Sequence, residues 1–223
     1  MEIKGKNAVI VWKKVLKYLL ENGVEITEKN NRLYKERLNI VTRIESTEKI
    51  TDPIEILNSF KKWVYPTLEE LKASVLEKNP FNRYYYDYGL RAFNFNGINQ
   101  IDNYLIPLLK NNPGSKRGIV IFYTPQDSLP LKKETPGMIS MHFNIINNKL
   151  HATAFLRCND FFYGWPGNIV QTHFLAEYVA KKLNYPIGTL NTISVSAHIY
   201  EEQFEYISNI KSSSGTLLSI IND

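Results

Sequence analysis

Arg157-Cys158-Asn159-Asp160-Phe161-Phe162-Tyr163-Gly164-Trp165-Pro166-Gly167-Asn168 is the most informative stretch of the sequence. It leads from the alternating run Lys149 to Leu156 into the segment Ile169 to Leu183. In that segment Val170, Phe174, Leu175, Tyr178, Val179 and Leu183 recur at helical spacing. The stretch is therefore read as a strand end, a polar glycine-bearing turn and the start of a long helix. An arginine at a strand end can grip a phosphate bidentately. Asp160 and Asn168 offer directed hydrogen-bonding groups to a ring with amide-like edges. Gly164 and Gly167 let backbone approach a flat ligand closely. The same residues also describe a capped loop in which Asp160 holds backbone amides, and both readings stand at this point.

Working outward, Met141 to Ile146 and Lys149 to Leu156 alternate around Asn147-Asn148, a hairpin signal because asparagine tolerates positive φ. Gly118 to Tyr123 reads as a buried strand, Leu38 to Ile44 as a short one, and Thr189 to Tyr200 as a β-rich run. Helices are expected over Asn7 to Glu21, closed by Gly23, and over Pro53 to Trp63, Thr67 to Lys78 and Ile98 to Leu109. The aromatic segment Asn79 to Arg91 reads as a loop. With no internal repeat and no linker, the chain is expected to form one α+β domain over residues 1–223.

Composition narrows the function classes. The net charge is +5 and the pI about 9.1, with Lys and Arg dispersed rather than blocked. That distribution suits a small anionic ligand, or simply solubility, better than a nucleic-acid polymer. No run of 18 apolar residues is present, so no membrane span is expected. Lys13, Lys14 and Lys17 interrupt the apolar residues of Met1 to Leu20, so a secretion signal is rejected and a cytoplasmic location expected. A single cysteine excludes a disulfide framework. His142, His151, His173 and His198 show no metal-ligand spacing, so no metal is expected. His198 and Tyr200, two apart in a strand, face one way and suit a sugar hydroxyl; the plainer reading is two half-exposed residues on a strand face.

Taken together, Arg157, Asp160, Gly164, Pro166 and Asn168, followed about thirty residues later by His198-Ile199-Tyr200, resemble the thymidylate synthase family. The wording Arg-x-Asn-Asp is closer to its pyrimidine nucleotide (dCMP, CMP) hydroxymethylase branch. Weaker likenesses lie upstream in Tyr88-Gly89-Leu90-Arg91, Asn99-Gln100-Ile101 and Ser115-Lys116-Arg117. The resemblance implies a twisted mixed β-sheet flanked by helices and packed sheet to sheet in a homodimer. It implies a pyrimidine nucleoside monophosphate as ligand and 5,10-methylenetetrahydrofolate as one-carbon donor. Arg157 would hold the 5′-phosphate, with Lys116 and Arg117 reaching over from the second subunit. Asn168 would read the N3/O4 edge of the ring, asparagine leaning toward uracil. His198 and Tyr200 would bond the 3′-hydroxyl, Asp160 would face the folate, and Tyr88 would stand among the catalytic groups.

The departures are as informative. Twenty residues before Arg157, where the family carries its nucleophilic cysteine, stands Gly137. That thiolate adds to pyrimidine C6, which glycine cannot do. Cys158 occupies the place of a phosphate-binding serine, and His142 that of a glutamine beside the base. His142 is the candidate proton carrier, since imidazole suits transfer near neutral pH; replacing the glutamine's hydrogen bond is the plainer role. Cys158 is the one thiol available as a relocated nucleophile. Glu55 is a candidate for the catalytic glutamate, or a solvated helix charge. Only residues 199–223 follow His198, shorter than in ordinary thymidylate synthases. The expected function is therefore a thymidylate synthase-like enzyme with an altered mechanism; the alternative is a catalytically inactive nucleotide-binding homologue acting as a sensor or partner subunit.

Overall fold

The computed structural model describes residues 1–78, 88–129 and 135–212. Among them a seven-stranded mixed sheet is built from β1 (Glu2–Gly5), β2 (Val24–Thr27), β3 (Leu33–Ile44), β4 (Ile119–Ile121), β5 (Met138–Ile146), β6 (Lys149–Asp160) and β7 (Ile187–Tyr200). The order is β1-β3-β7-β6-β5-β4, with β2 paired to β3. β1 runs parallel to β3 and β6 parallel to β7; the other pairs are antiparallel. Parallel neighbours need a long crossover. Here it is α6 (Gly164–Leu183), ended by Asn184 in the left-handed region at φ 58.

α1 (Ala8–Asn22) packs on the same sheet through Val11, Trp12, Val15, Leu16 and Leu19. The Asn7 side chain accepts from Ile10 N at 3.2 Å and starts the helix. Gly23 ends it, though not by a positive φ. Its role is close approach: a β-carbon there would lie 2.5 Å from the Leu19 carbonyl and 2.7 Å from Lys35 Cβ. Trp12 Nε1 donates to the Phe161 carbonyl at 2.6 Å, tying α1 to the turn after β6.

Several boundaries differ from expectation. The second helix, α2 (Asp52–Ser59), stops before Trp63 because the chain turns through Lys61 at φ 55. α3 (Leu68–Leu76) starts where expected, on a Thr67–Glu70 capping box. Of the proposed loop 79–91, residues 79–87 lie outside the described residues, while Tyr88 to Arg91 open the helix α4 (Tyr88–Asn94). The fourth expected helix begins at Ile101 with one wide turn, Ile101–Leu105, before α5 (Ile106–Asn111). Pro107 has no N–H and crowds the preceding turn, which widens: Leu105 N donates to the Gln100 carbonyl at 2.9 Å. β1, β2 and the first half of β3 were not expected, because four-residue strands and the charged run Tyr34-Lys35-Glu36-Arg37 carry no apolar alternation. The chain closes with α7 (Phe204–Ser212).

Gln100, from the weak Asn99-Gln100-Ile101 likeness, has a structural task. Its Oε1 accepts from Ile121 N at 2.9 Å and its Nε2 donates to Ile121 O and Arg91 O. It thus satisfies the free edge of β4, which would otherwise be open to another strand. Beside it Arg91 forms a bidentate pair with Asp127 at 2.6 and 2.7 Å and donates to the Phe122 carbonyl.

Candidate functional site

The β6–α6–β7 crossover explains how residues thirty apart become neighbours. Parallel pairing places Asp160 opposite His198 and Cys158 opposite Ser196. β3 then adds Glu36 opposite His198 and Tyr34 opposite Tyr200. The alternation of buried residues also changes phase here. In β7 the buried positions are Leu190, Thr192 and Ser194, then Ala197 and Ile199; in β6 they are Leu150 to Leu156 at every second residue, then Asn159. The adjoining strands are irregular at the same level: Asn39 of β3 adopts φ 59, and β5 slips register between Met138 and Ser140. This shared kink turns Asn159 inward, toward α6, and His198 and Tyr200 away from it.

Gly137, Tyr88, Arg157 and Cys158 meet beside the kink. Arg157 N donates to Gly137 O at 3.0 Å, and Met138 N donates to Tyr88 Oη at 3.0 Å. The Arg157 guanidinium donates through Nε to Pro136 O and through Nη2 to Thr135 O, both at 3.0 Å. These two bonds fix its plane; three of its five N–H groups are not used by them. Cys158 is half-buried, and its carbonyl oxygen is 3.8 Å from where a β-carbon on Gly137 would stand.

Asn168 lies near the N-terminus of α6, just past its first turn, and donates through Nδ2 to Asn159 Oδ1 at 3.1 Å. It borders a cavity of about 290 Å³ whose wall includes Tyr88, Tyr65, Tyr163, Gly164 and Gly167. Gly167 allows close approach: a β-carbon there would stand 2.6 Å from the Tyr65 hydroxyl, which donates to Tyr163 O at 2.9 Å, and would push the tyrosine aside. The Tyr65 and Tyr163 rings meet edge to face at 5.0 Å. An aromatic slot of this size accepts a flat heterocycle.

Asp160 takes the capped-loop geometry. Its Oδ1 accepts from Phe162 N and Tyr163 N at 2.9 and 3.1 Å, and its Oδ2 accepts from Gln203 Nε2 at 2.9 Å. One lone-pair site of Oδ2 is outside these bonds. Burial pushes the Asp160 carboxyl up, against those hydrogen bonds and His198. Burial likewise pulls the His198 imidazole down, opposed by Asp160 and Glu36. Gln203 also accepts from Tyr200 N at 2.8 Å, so one buried side chain joins the ends of β6 and β7. The Arg32 guanidinium lies 3.3 Å from the Tyr200 ring centroid and pairs with Glu202.

The remaining candidates stand apart. His142 is exposed on β5, opposite Ile119 and Thr153, five residues beyond Gly137 and so roughly 15 Å along extended chain. Lys116 and Arg117 are exposed just before β4; Arg117 contributes its carbonyl to Tyr104 Oη at 2.5 Å. Glu55 is exposed in the first turn of α2 and accepts from Thr51 Oγ1 at 3.2 Å. His151 is held by Thr189, its Nδ1 accepting from Thr189 N at 3.0 Å. Among the described residues no group of three His, Cys, Asp or Glu could hold a metal, and no helix is long and apolar enough to cross a membrane. Asn159, Gln203, Glu36 and Arg32 were not singled out from the sequence. Asn159 had the Arg-x-Asn-Asp wording as its signal; the other three had none.

This sheet and crossover are those of the thymidylate synthase fold. The thermostable thymidylate synthase A from Bacillus subtilis superposes with a TM-score of 0.66 at 18% identity, covering 94% of this chain and 86% of that one. The family model described as thymidylate synthase matches residues 11–214. A relative from Methanosarcina mazei bearing the name "Putative thymidylate synthase" is 31% identical over 209 residues, 93% of each chain. One of the same name from Methanocaldococcus jannaschii is 33% identical over 182 residues, 73% of this chain and 80% of that one. The chain belongs to the thymidylate synthase family, a family of folate-dependent methyl-transfer enzymes.

Proposed function

We propose that the protein binds a pyrimidine nucleoside monophosphate where β6, β7 and the N-terminal part of α6 meet, and modifies its ring by an altered version of the family's C5 one-carbon chemistry. The supporting observation is the parallel β6–α6–β7 unit, which gathers Arg157, Asn168, His198 and Tyr200 at one end of the sheet. Arg157 binds the phosphate through the N–H groups not used by residues 135 and 136. Asn168 reads the base at the Tyr88 side of the cavity, and His198 and Tyr200 bond the sugar. The Tyr65–Tyr163 slot and the remaining site on Asp160 fit the flat ring of a reduced folate, which when bound supplies the one-carbon unit. Tyr88, whose hydroxyl borders Gly137, is the catalytic phenol and Cys158 the only thiol; His142, on the outward sheet face, stands away from this pocket.

Glycine at the nucleophile position favours a second reading, an inactive homologue that senses the nucleotide or partners an active subunit. Tritium release from C5-labelled uridylate and deoxyuridylate separates the two. No release from the wild type selects the second reading. Release lost in Cys158→Ser but kept in His142→Gln makes Cys158 a relocated nucleophile. Binding has its own test: Arg157→Ala removes charge-assisted phosphate contacts and is expected to weaken nucleotide binding by about 1.5–3 kcal/mol. Unchanged calorimetric affinity removes Arg157 from the pocket.

We also propose a homodimer closed over the outward sheet face. Val41, Phe155, Ile193 and Val195 are half-exposed there although apolar, and such a face is covered in folded assemblies. The partner copy would carry Lys116 and Arg117 to the phosphate. Light scattering at micromolar concentration is expected to give twice the chain mass, and a monomer overturns the proposal.

A further inference from the structure

Asn159 sits at the inward side of the kink, buried between Ser194 and Asn168. Its Nδ2 donates to Ser194 Oγ and its Oδ1 accepts from Asn168 Nδ2, both at 3.1 Å. A β-carbon on Gly164 would lie 3.7 Å from Asn159 Oδ1 and 4.0 Å from Asn168 Nδ2, so no side chain of residue 164 covers the pair. We propose that Asn159 is a positioning residue that sets the choice between uracil and cytosine by fixing which way round the Asn168 carboxamide stands. This rests on Asn168 being the base reader.

A carboxamide turned by 180° exchanges its oxygen and its amine at little internal cost, because this terminal torsion is broad and nearly two-fold. An untethered asparagine therefore serves two kinds of partner. Uracil presents N3–H as donor and O4 as acceptor; cytosine presents N3 as acceptor and its N4 amine as donor. The two edges are inverted, so an asparagine of fixed orientation matches one and opposes the other. Asn159 Oδ1 can only accept. It holds the Asn168 amine toward itself, leaving Oδ1 and one N–H in a fixed order for the ring. Turning Asn168 alone would set two carbonyl oxygens against each other inside the protein. The buried Ser194 hydroxyl anchors the far end of Asn159 and so stiffens the pair.

The test is calorimetry of dUMP and dCMP with the full chain and three variants. The wild type is expected to prefer dUMP by roughly tenfold or more, the worth of one mismatched hydrogen bond. Asn159→Ala is expected to bring the two affinities toward equality. Asn159→Asp retains an acceptor for the Asn168 amine and is expected to keep the preference. Ser194→Ala, which removes only the far anchor, is expected to narrow it, and carries the test with Asn159→Asp should Asn159→Ala not fold by its melting curve. A preference undiminished in both Asn159→Ala and Ser194→Ala, or one inverted toward dCMP in Asn159→Asp, overturns the role of Asn159 while leaving Asn168 as the reader. A wild type that binds neither nucleotide overturns the base-reading assignment and this inference with it.

Discussion

Gly137→Cys is expected to raise tritium release from C5-labelled deoxyuridylate far above the wild-type level. A side chain can be added without strain: the backbone at Gly137 is not left-handed, and among the described residues the new β-carbon would meet Cys158 O at 3.8 Å and Tyr88 Oη at 3.9 Å. Both are ordinary contacts. The sulfur would then enter the space beside the Tyr88 hydroxyl, next to the cavity that Asn168 borders. There a thiolate can form a bond to C6; the C5–C6 π pair moves to C5 and is held as the enolate at O4. Protonation of C5, loss of the original hydrogen and expulsion of the thiolate restore the ring and release the label. Such covalent steps and their proton transfers are worth orders of magnitude in rate, about 10²–10⁴-fold for the acid–base part alone. The variant's release should therefore stand far above background, and mass spectrometry should find any trapped adduct at residue 137. A variant that binds deoxyuridylate as tightly as wild type yet releases nothing would place C6 away from Gly137.

Asp127→Ala should be the most destabilising single change among those considered. Both side chains of the Arg91–Asp127 pair are largely shielded, 13% and 5% exposed. Removing the carboxylate leaves a buried guanidinium with only the Phe122 carbonyl and the Phe95 ring, 5.2 Å away, among the described residues, a loss of about 3–5 kcal/mol. Denaturant unfolding at neutral pH measures it directly, and a difference below about 1 kcal/mol would mean the pair is already hydrated. The acid limb gives a second measure. Arg91 holds the Asp127 carboxyl down at about 2, from an ordinary 3.8. A depressed carboxylate stabilises the fold above its unfolded value and loses that contribution as pH falls through its folded value. The loss should therefore run from about pH 4 down to about pH 2, amount to about 2 kcal/mol, and vanish from the acid limb of Asp127→Asn.

The parts of the fold that could be read in the sequence are those with strong periodicity and a short range. α6, the β5–β6 hairpin and α1 each carry their pattern within one segment, and their limits fall within a few residues of expectation. β1 and β2 could not be read this way, because they exist through pairing with β3 rather than through their own residues. The wide turn before α5 depended on Pro107, whose effect is felt in the turn before it. For the site, the residue types of the Arg157 to Asn168 stretch signalled a ligand, yet left open whether Asp160 served the ligand or the turn. Only the three-dimensional structure shows Asp160 engaged by the amides of residues 162 and 163. Gln203 was beyond reach, since nothing local distinguishes a buried glutamine that ties two strand ends together from one in solvent.

The strand order has a consequence for synthesis. β3 is made within the first fifth of the chain, but its antiparallel neighbour β7 is not complete until Tyr200. While the ribosome works through the intervening residues, the growing chain presents a long strand with one unpaired edge, the kind of surface that invites wrong partners. The charged residues Lys35, Glu36, Arg37 and Arg43 lie along that strand and oppose such pairing. Because Glu36 and Tyr34 meet His198 and Tyr200 only once β7 is in place, the proposed nucleotide site is among the last features a nascent chain can assemble. Chains released before Ile187 would carry Arg157 and Asn168 but not the strand of His198 and Tyr200, so the proposed pocket would stay incomplete.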